Sequence, residues 1–478
     1  MDLKDKAIKG VSWSLIERIG MQGIKFILGI ILARLLTPED FGLVGMVAVF
    51  FAIAQVFIDS GFGHAYIQKE EVSDKDANTV FYTNFSISLL LYGLLWLFAP
   101  AIARFYDQPQ LTELTRVMGV VVIINSFSII QIAQLTRDVN FKRKTKILLI
   151  AVIVSGVLGV SAAYYGLGVW SLVIQQLTNR FFMVVGFWIT SKWKPSLNFS
   201  FASFRQMFSF GGWLLLSGII TKIFENIYIL TIGKFFPAAQ VGFYTKSKDI
   251  RRLTSKEIGQ AIGFVAFPVL SKLQDNKEHL QRGMRKFLTH SMVFMMPILI
   301  TVIVVSEPFV IILLKEKWAP MIPYLQLLCF AGLLYPIHSV NIQALKAQGK
   351  SNLTFRLNLI KNSLRIINII ISYRWGVLYI IIGEVIISFL SIYINTYYTN
   401  KLINYGPLKQ LKDIWKIVLG GLLAGALGFF INLQLENLWV MLFVGGFVSF
   451  GGYAAFQYLF NRKFFMEVID LRETFKKR

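Results

Sequence analysis

The sequence predicts an all-α membrane protein that crosses the bilayer about fourteen times. Over 478 residues, 55% are hydrophobic and only 16% are charged, with a mean hydropathy of +0.59, far more apolar than a soluble protein of this length. Apolar runs near the ~20 residues needed to span a bilayer recur along the whole chain. Basic residues gather in alternate gaps between those runs. The net charge of +23 is therefore a topology signal spread through short connections, not the continuous basic surface of a nucleic-acid binder, and nucleic acid is excluded as a partner.

In order, the expected spans are 11–35, 41–62, 79–103, 111–135, 147–165 and 169–190, then 208–233, 241–270, 287–305 and 322–344, then 357–373, 377–398, 414–433 and 438–460. No connection is long enough for a soluble domain. With the N-terminus inside, the cytoplasmic segments hold about thirty basic residues and the opposite ones about six, so both termini are expected in the cytoplasm. Residues 1–9 are polar and no cleavage site follows, so no cleaved signal peptide is expected. The single cysteine, Cys329, forms no intrachain disulfide and says nothing about redox compartment.

The chain repeats itself at an offset of 200 residues: Trp13 matches Trp213, Gly42 matches Gly242, Gly63 matches Gly263, and LLTPEDFGLV matches FFPAAQVGFY. Six spans separate the copies, an even number, so the two halves are expected to be parallel repeats with a substrate path between them. The expected domains are a six-helix bundle over 1–200, a second over 201–405, and two trailing spans with a cytoplasmic tail over 406–478.

Charged residues inside the spans are the candidate site. Segment 241–270 carries Lys246, Lys248, Arg251, Arg252 and Lys256; at ~1.5 Å per residue, Arg251 and Arg252 lie roughly 17 Å in, near the midplane of a ~30 Å core. Charges at that depth are costly and face a protein interior or a watery cavity. The first span adds a stripe of Ser14, Arg18, Gln22 and Lys25, and the seventh one of Ser217, Thr221, Lys222 and Glu225. The eleventh presents Asn358, Lys361, Arg365, Asn368 and Ser372, and the twelfth Glu384, Ser388, Ser391 and Asn395. Snorkelling to the membrane edge serves equally well for Arg18 and Lys361, and is the lesser alternative for Lys246 and Lys248. Gln55 and Asp59 sit one turn apart on the second span; Asp59, Glu225 and Glu384 are the candidate ion carriers. Asn125, Gln131 and Gln175 read as hydrogen-bonding glue between helices, and His290 and His338 as isolated. No metal-ligand spacing occurs, and Pro268, Pro297 and Pro336 are candidate bends.

The run GVSWSLIERIGMQGIKFILGIILARLLTPEDFGLVGMVAVFFAIAQVFIDSGFGHAYIQ, together with VGFYTKSKDIRRL and FPVLSKL, resembles bacterial polysaccharide exporters of the Wzx type, most of all the colanic acid and teichuronic acid exporter branch. The resemblance covers nearly the whole chain and extends to a superfamily that includes the lipid II flippase and the multidrug and toxin extrusion transporters. It implies two six-helix bundles, two trailing helices, and a cationic cavity with alternating access to a polyprenyl-diphosphate-linked oligosaccharide in the bacterial inner membrane. Other polysaccharide-assembly membrane proteins are implied partners. By position, Lys246 and Lys248 fall where such exporters carry cavity arginines, whereas Arg251, Arg252 and Lys256 depart from the pattern.

Two other classes are less consistent with the residues. A cation-coupled drug antiporter of the same fold calls for an anionic cavity, and the intramembrane balance here is cationic. A polymerase or glycosyltransferase calls for a large outer loop bearing catalytic residues, and the outer connections are short, so the chain is not expected to be an enzyme. No glycine-rich loop ends in Lys-Ser/Thr, so no nucleotide cofactor is expected.

Overall fold

The computed structural model describes residues 3–58, 62–69, 71–138 and 140–462. Among the described residues the protein is all-α, with no strand. It divides into two compact units between Gly242 and Phe243.

The first unit contains α1 (Leu3–Leu35), α2 (Pro38–Ile58), α3 (Phe62–Gln68), α4 (Asp74–Tyr106), α5 (Leu111–Ser126), α6 (Ile129–Arg137), α7 (Phe141–Tyr164), α8 (Trp170–Thr190), α9 (Phe201–Phe235) and the first turn of α10 (Ala238–Arg251). Its turns are written in capping chemistry. Thr37 Oγ1 accepts from the Asp40 amide at 3.2 Å, and Asp40 Oδ2 accepts from the Thr37 amide at 2.8 Å, so donors at the start of α2 are satisfied reciprocally. Ser73 and Asp76 repeat the device on α4, where Lys69 also pairs with Asp76 at 2.8 Å. Helices approach closely at glycine, as expected where lipid supplies no hydrophobic drive. A Cβ on Gly156 of α7 would meet Leu28 of α1 at 2.3 Å, and one on Gly218 of α9 would meet Val56 of α2 at 2.6 Å.

The second unit holds the rest of α10, a π-helical turn (Arg252–Lys256), α11 (Glu257–Lys272), α12 (Lys277–Val304), α13 (Ser306–Leu314), α14 (Ile322–Gly332), α15 (Tyr335–Ala347), α16 (Ser351–Ser372), α17 (Val377–Ile403), α18 (Pro407–Asn432) and α19 (Leu438–Phe460). On α18 a stripe of Gly421 and Gly425 faces Met296 and Ile300 of α12.

A buried polar knot ties α15, α17 and α18 together. Asn341 Nδ2 donates to Gln410 Oε1 at 2.8 Å, while Asn341 Oδ1 accepts from Thr399 Oγ1 at 2.6 Å and Gln410 Nε2 at 2.9 Å. All three residues are essentially inaccessible. Asn341→Leu removes a shared acceptor from two buried donors and is expected to cost about 3 kcal/mol. A thermal melt in detergent checks this; an unchanged melting temperature would show the knot to be dispensable.

Among the described residues, ten helices are long and apolar enough to cross a membrane, eleven if the bent pair Glu316–Gly332 and Tyr335–Ala347 is one span. The three expected spans outside that set lie on α1, on α10–α11 and on α16, the segments that carry all the candidate cations except Lys222 of α9. Two spans differ from the sequence expectation in shape. The fourth breaks between α5 and α6, and the tenth bends by 41° at Leu333–Leu334. Pro336 opens α15 just past that bend, whereas Pro268 and Pro297 lie within α11 and α12.

Candidate functional site

The segment that the sequence singled out is not one regular helix. α10 gives way to the π-helical turn at Arg252, where the wider spacing displaces the usual i→i−4 pairing and leaves carbonyls to be satisfied otherwise. The local sequence RLTSK supplies the means. Thr254 Oγ1 donates to the carbonyls of Ile250 (3.2 Å) and Arg251 (3.1 Å), and Ser255 Oγ donates to Arg251 O at 2.8 Å. Upstream, α10 is pinned by Ser247, whose hydroxyl donates to Met321 O at 3.3 Å, and by Phe243 set edge-on to Trp318.

Arg251, at the start of this irregularity, reaches α17: its Nη1 lies 3.3 Å from Glu384 Oε1, with the two side chains 24% and 15% exposed. The other carboxylate oxygen, Glu384 Oε2, is buried and has no protein partner. A Cβ at Gly332, the last residue of α14, would sit 3.6 Å from Arg251 Cγ, an ordinary contact, so α14 packs beside the arginine of this ion pair. Arg252 is exposed; Lys246 and Lys248 are half-buried, with Lys248 Nζ 5.9 Å from the Tyr244 ring centroid. The side chain of Lys256 lies outside the described residues.

Next to it, α16 presents Lys361 and Arg365, Arg365 being held by Asn362 Oδ1 at 2.9 Å. His338 is not isolated, which corrects the sequence reading. Its Nδ1 accepts from Asn395 Nδ2 at 3.0 Å, its Nε2 lies 3.3 Å from Ser388 Oγ, and Ser388 in turn donates to Ala331 O at 3.2 Å. A neutral imidazole protonated on Nε2 satisfies every link of that chain. Sequence reasoning had placed Ser388 and Asn395 on one face of α17; what it lacked was the histidine opposite them on α15.

In the first unit, Lys222 and Glu225 pair within α9 at 2.8 Å, both about two-fifths exposed. Lys25 is exposed on α1; the side chain of Arg18 and all of Asp59 lie outside the described residues. Asn125 of α5 donates to Gln55 of α2 at 2.9 Å, the interhelical role expected of it, whereas both amide atoms of Gln131 are buried without a partner. Glu17, which the sequence reading passed over, pairs with Lys144 at 3.4 Å and ties α1 to α7. Among the described residues no group of His, Cys, Asp or Glu is placed to hold a metal.

Fold and site together define a polytopic membrane protein that keeps cations, paired and unevenly solvated, inside its helical bundles. The chain belongs to the polysaccharide biosynthesis protein family, whose model matches residues 31–323. It is 25% identical to the lipopolysaccharide biosynthesis protein WzxC of Escherichia coli, over 82% of this chain and 80% of that protein, and 25% identical to the teichuronic acid biosynthesis protein TuaB of Bacillus subtilis, over 73% and 72%. Among solved structures it shares the fold of the lipid II flippase MurJ in an inward closed conformation, with a TM-score of 0.78 at 14% identity, covering 95% of this chain and 99% of that one. A multidrug-resistance MATE family transporter in an inward-facing conformation matches with a TM-score of 0.60 at 16% identity, over 80% and 96%.

Proposed function

We propose that this protein is a flippase that moves a polyprenyl-diphosphate-linked oligosaccharide, a polysaccharide repeat unit, from the cytoplasmic to the outer leaflet of the bacterial inner membrane by alternating access of a cationic cavity. The observation that carries the reading is the set of cations kept on otherwise apolar helices: Lys246, Lys248, Arg251 and Arg252 on and beside the π-helical turn, with Lys361 and Arg365 on α16. A diphosphate bears roughly two negative charges, and burying an unpaired ion costs many kcal/mol. Lys and Arg replace its water, with Arg18, Lys25 and Lys222 as further contacts, and the Asn and Ser stripes of α16 and α17 bond sugar hydroxyls. The hydrocarbon tail stays in lipid. Family membership supports the substrate class, and the fold shared with a lipid flippase supports the mode of transport. The parallel repeats over 1–200 and 201–405, the trailing helices over 406–478 and the cytoplasmic termini belong to the same reading. Its partners in this reading are the lipid-linked glycan, membrane lipids and other polysaccharide-assembly membrane proteins.

Outward movement of an anion is favoured by an inside-negative potential by about 2.3 kcal/mol per charge per 100 mV. Asp59, Glu225 and Glu384 are the candidates for added coupling to an ion; of these, Glu384 already neutralises Arg251.

The test uses proteoliposomes in which a polyprenyl-diphosphate oligosaccharide placed in one leaflet is probed from the other by a membrane-impermeant reagent. Wild type is expected to expose it, and Arg252→Ala and Lys248→Ala are each expected to slow that exposure at least about tenfold, the effect of losing one charge-assisted contact. Full transport by both variants at normal expression would remove the π-turn helix from the mechanism. Absence of movement with several glycans, together with efflux of a cationic dye, would identify an antiporter and make the cations structural.

A further inference from the structure

Residues 191–200, between α8 and α9, are not helical, yet they are firmly held. Ser196 N–H donates to Asn78 Oδ1 at 3.0 Å, Asn78 Nδ2 donates to Ser196 Oγ at 2.7 Å, and Ser200 N–H donates to Thr79 Oγ1 at 3.0 Å. Trp193 is buried against Phe81. Because extended chain alternates sides, Lys192 and Lys194 both point away from the core, about 7 Å apart. Beyond them Leu197 is 92% exposed, with Phe199 and Phe201 also bare. Two lysines followed by three uncovered large apolar side chains make a strap suited to the membrane boundary, where ammonium groups meet headgroups and apolar groups meet chains.

Between this strap and α4 lies a cavity of about 640 Å³, lined by Tyr82, Thr83, Ser86, Leu197, Phe199 and Phe204. Its lining is apolar except for a few hydroxyls. One of them is anomalous: Thr83 is 7% exposed and its Oγ1 is buried without any partner. A buried hydroxyl is ordinarily hydrogen-bonded, so an acceptor inside the cavity would complete it.

We propose that this cavity binds one anionic glycerophospholipid, with an acyl chain among Leu197, Phe199 and Phe204, an ester oxygen accepting from Thr83 and the phosphate held by Lys192 and Lys194. The charge of the strap selects the headgroup: residues 191–200 contain two lysines and no acidic residue. The site is separate from the cations assigned to transport and does not depend on that assignment.

The test is native mass spectrometry of the delipidated protein, titrated with phosphatidylglycerol and phosphatidylcholine of identical acyl chains. Wild type is expected to retain one phosphatidylglycerol at least about fivefold more tightly than phosphatidylcholine, from the attraction of surface lysines for an anionic headgroup. Lys192→Gln with Lys194→Gln is expected to erase that preference while leaving phosphatidylcholine unaffected, and Ser86→Trp, at an exposed position of α4, is expected to remove one bound lipid of either kind. Equal retention of the two lipids by wild type overturns the headgroup assignment, and phosphatidylglycerol binding unchanged in Ser86→Trp overturns the cavity. Should Ser86→Trp fold poorly, the lysine pair, both exposed, decides the matter.

Discussion

Gly42→Ala is expected to prevent the first unit from folding. Gly42 on α2 and Gly242 on α10 lie where the starts of these two helices touch backbone to backbone. A Cβ on Gly42 would sit 1.8 Å from the carbonyl oxygen of Ala238, and a Cβ on Gly242 would sit 1.9 Å from that of Pro38. Contacts under 3 Å with a side-chain tip are relieved by a rotamer change. Here the obstacle is main chain in the first turn of a helix, and at α2 that turn is locked by the Thr37–Asp40 cap. Relief needs the helices to separate by more than an ångström, which opens a void along both and belongs among exceptional single-site effects above ~4 kcal/mol. Gly242→Ala should behave alike. Gly93→Ala is the control: its Cβ meets nothing within 4 Å, so the change should be neutral or stabilise α4 by up to about 1 kcal/mol. Size-exclusion profile and melting temperature in detergent are the measurements. Monodisperse Gly42→Ala protein melting with wild type would refute the crossing.

The second large effect is expected at the ion pair. Arg251→Ala leaves Glu384 as a mostly buried carboxylate with neither oxygen bonded to protein, where fully buried pairs broken on one side cost 3–5 kcal/mol; partial exposure here brings the expected loss down to about 2 kcal/mol. Under the proposed mechanism transport is expected to fall at least about tenfold, the effect of losing one charge-assisted contact between Arg251 and a phosphate. Glu384→Gln separates the two roles. It preserves an acceptor for Arg251 and the packing under Gly332, so the fold should survive, but it removes the charge that competes with an anionic headgroup. Glycan-lipid binding by this variant should tighten while turnover slows, since the site then releases its cargo less readily. Unchanged binding and turnover in both variants, with normal melting temperatures, would make the pair purely structural.

Composition and apolar run length are sufficient for the class of this protein, because a bilayer demands long, internally hydrogen-bonded apolar segments whatever their arrangement. The positions of most helices and the cations on α10, its π-helical turn and α16 are legible for the same reason: each depends on neighbours within one or two turns. Where the sequence reading stopped was at relations between helices. RLTSK does not announce a π-helical turn, because the turn packs against α12 and against Gly332 of α14, segments distant in the chain. Glu384, a candidate ion carrier by its place in the polar stripe of α17, is the partner of Arg251, 133 positions away in the chain. His338 read as isolated and became the centre of a chain through Asn395 and Ser388. The strap over 191–200 read as a short connection, and only its hydrogen bonds to α4 and the cavity beneath Leu197 and Phe199 give it a shape. Local pattern decides which segments enter the membrane; pairing of buried polar groups across distant segments decides where each charge ends up, and no periodicity within a single helix encodes that choice.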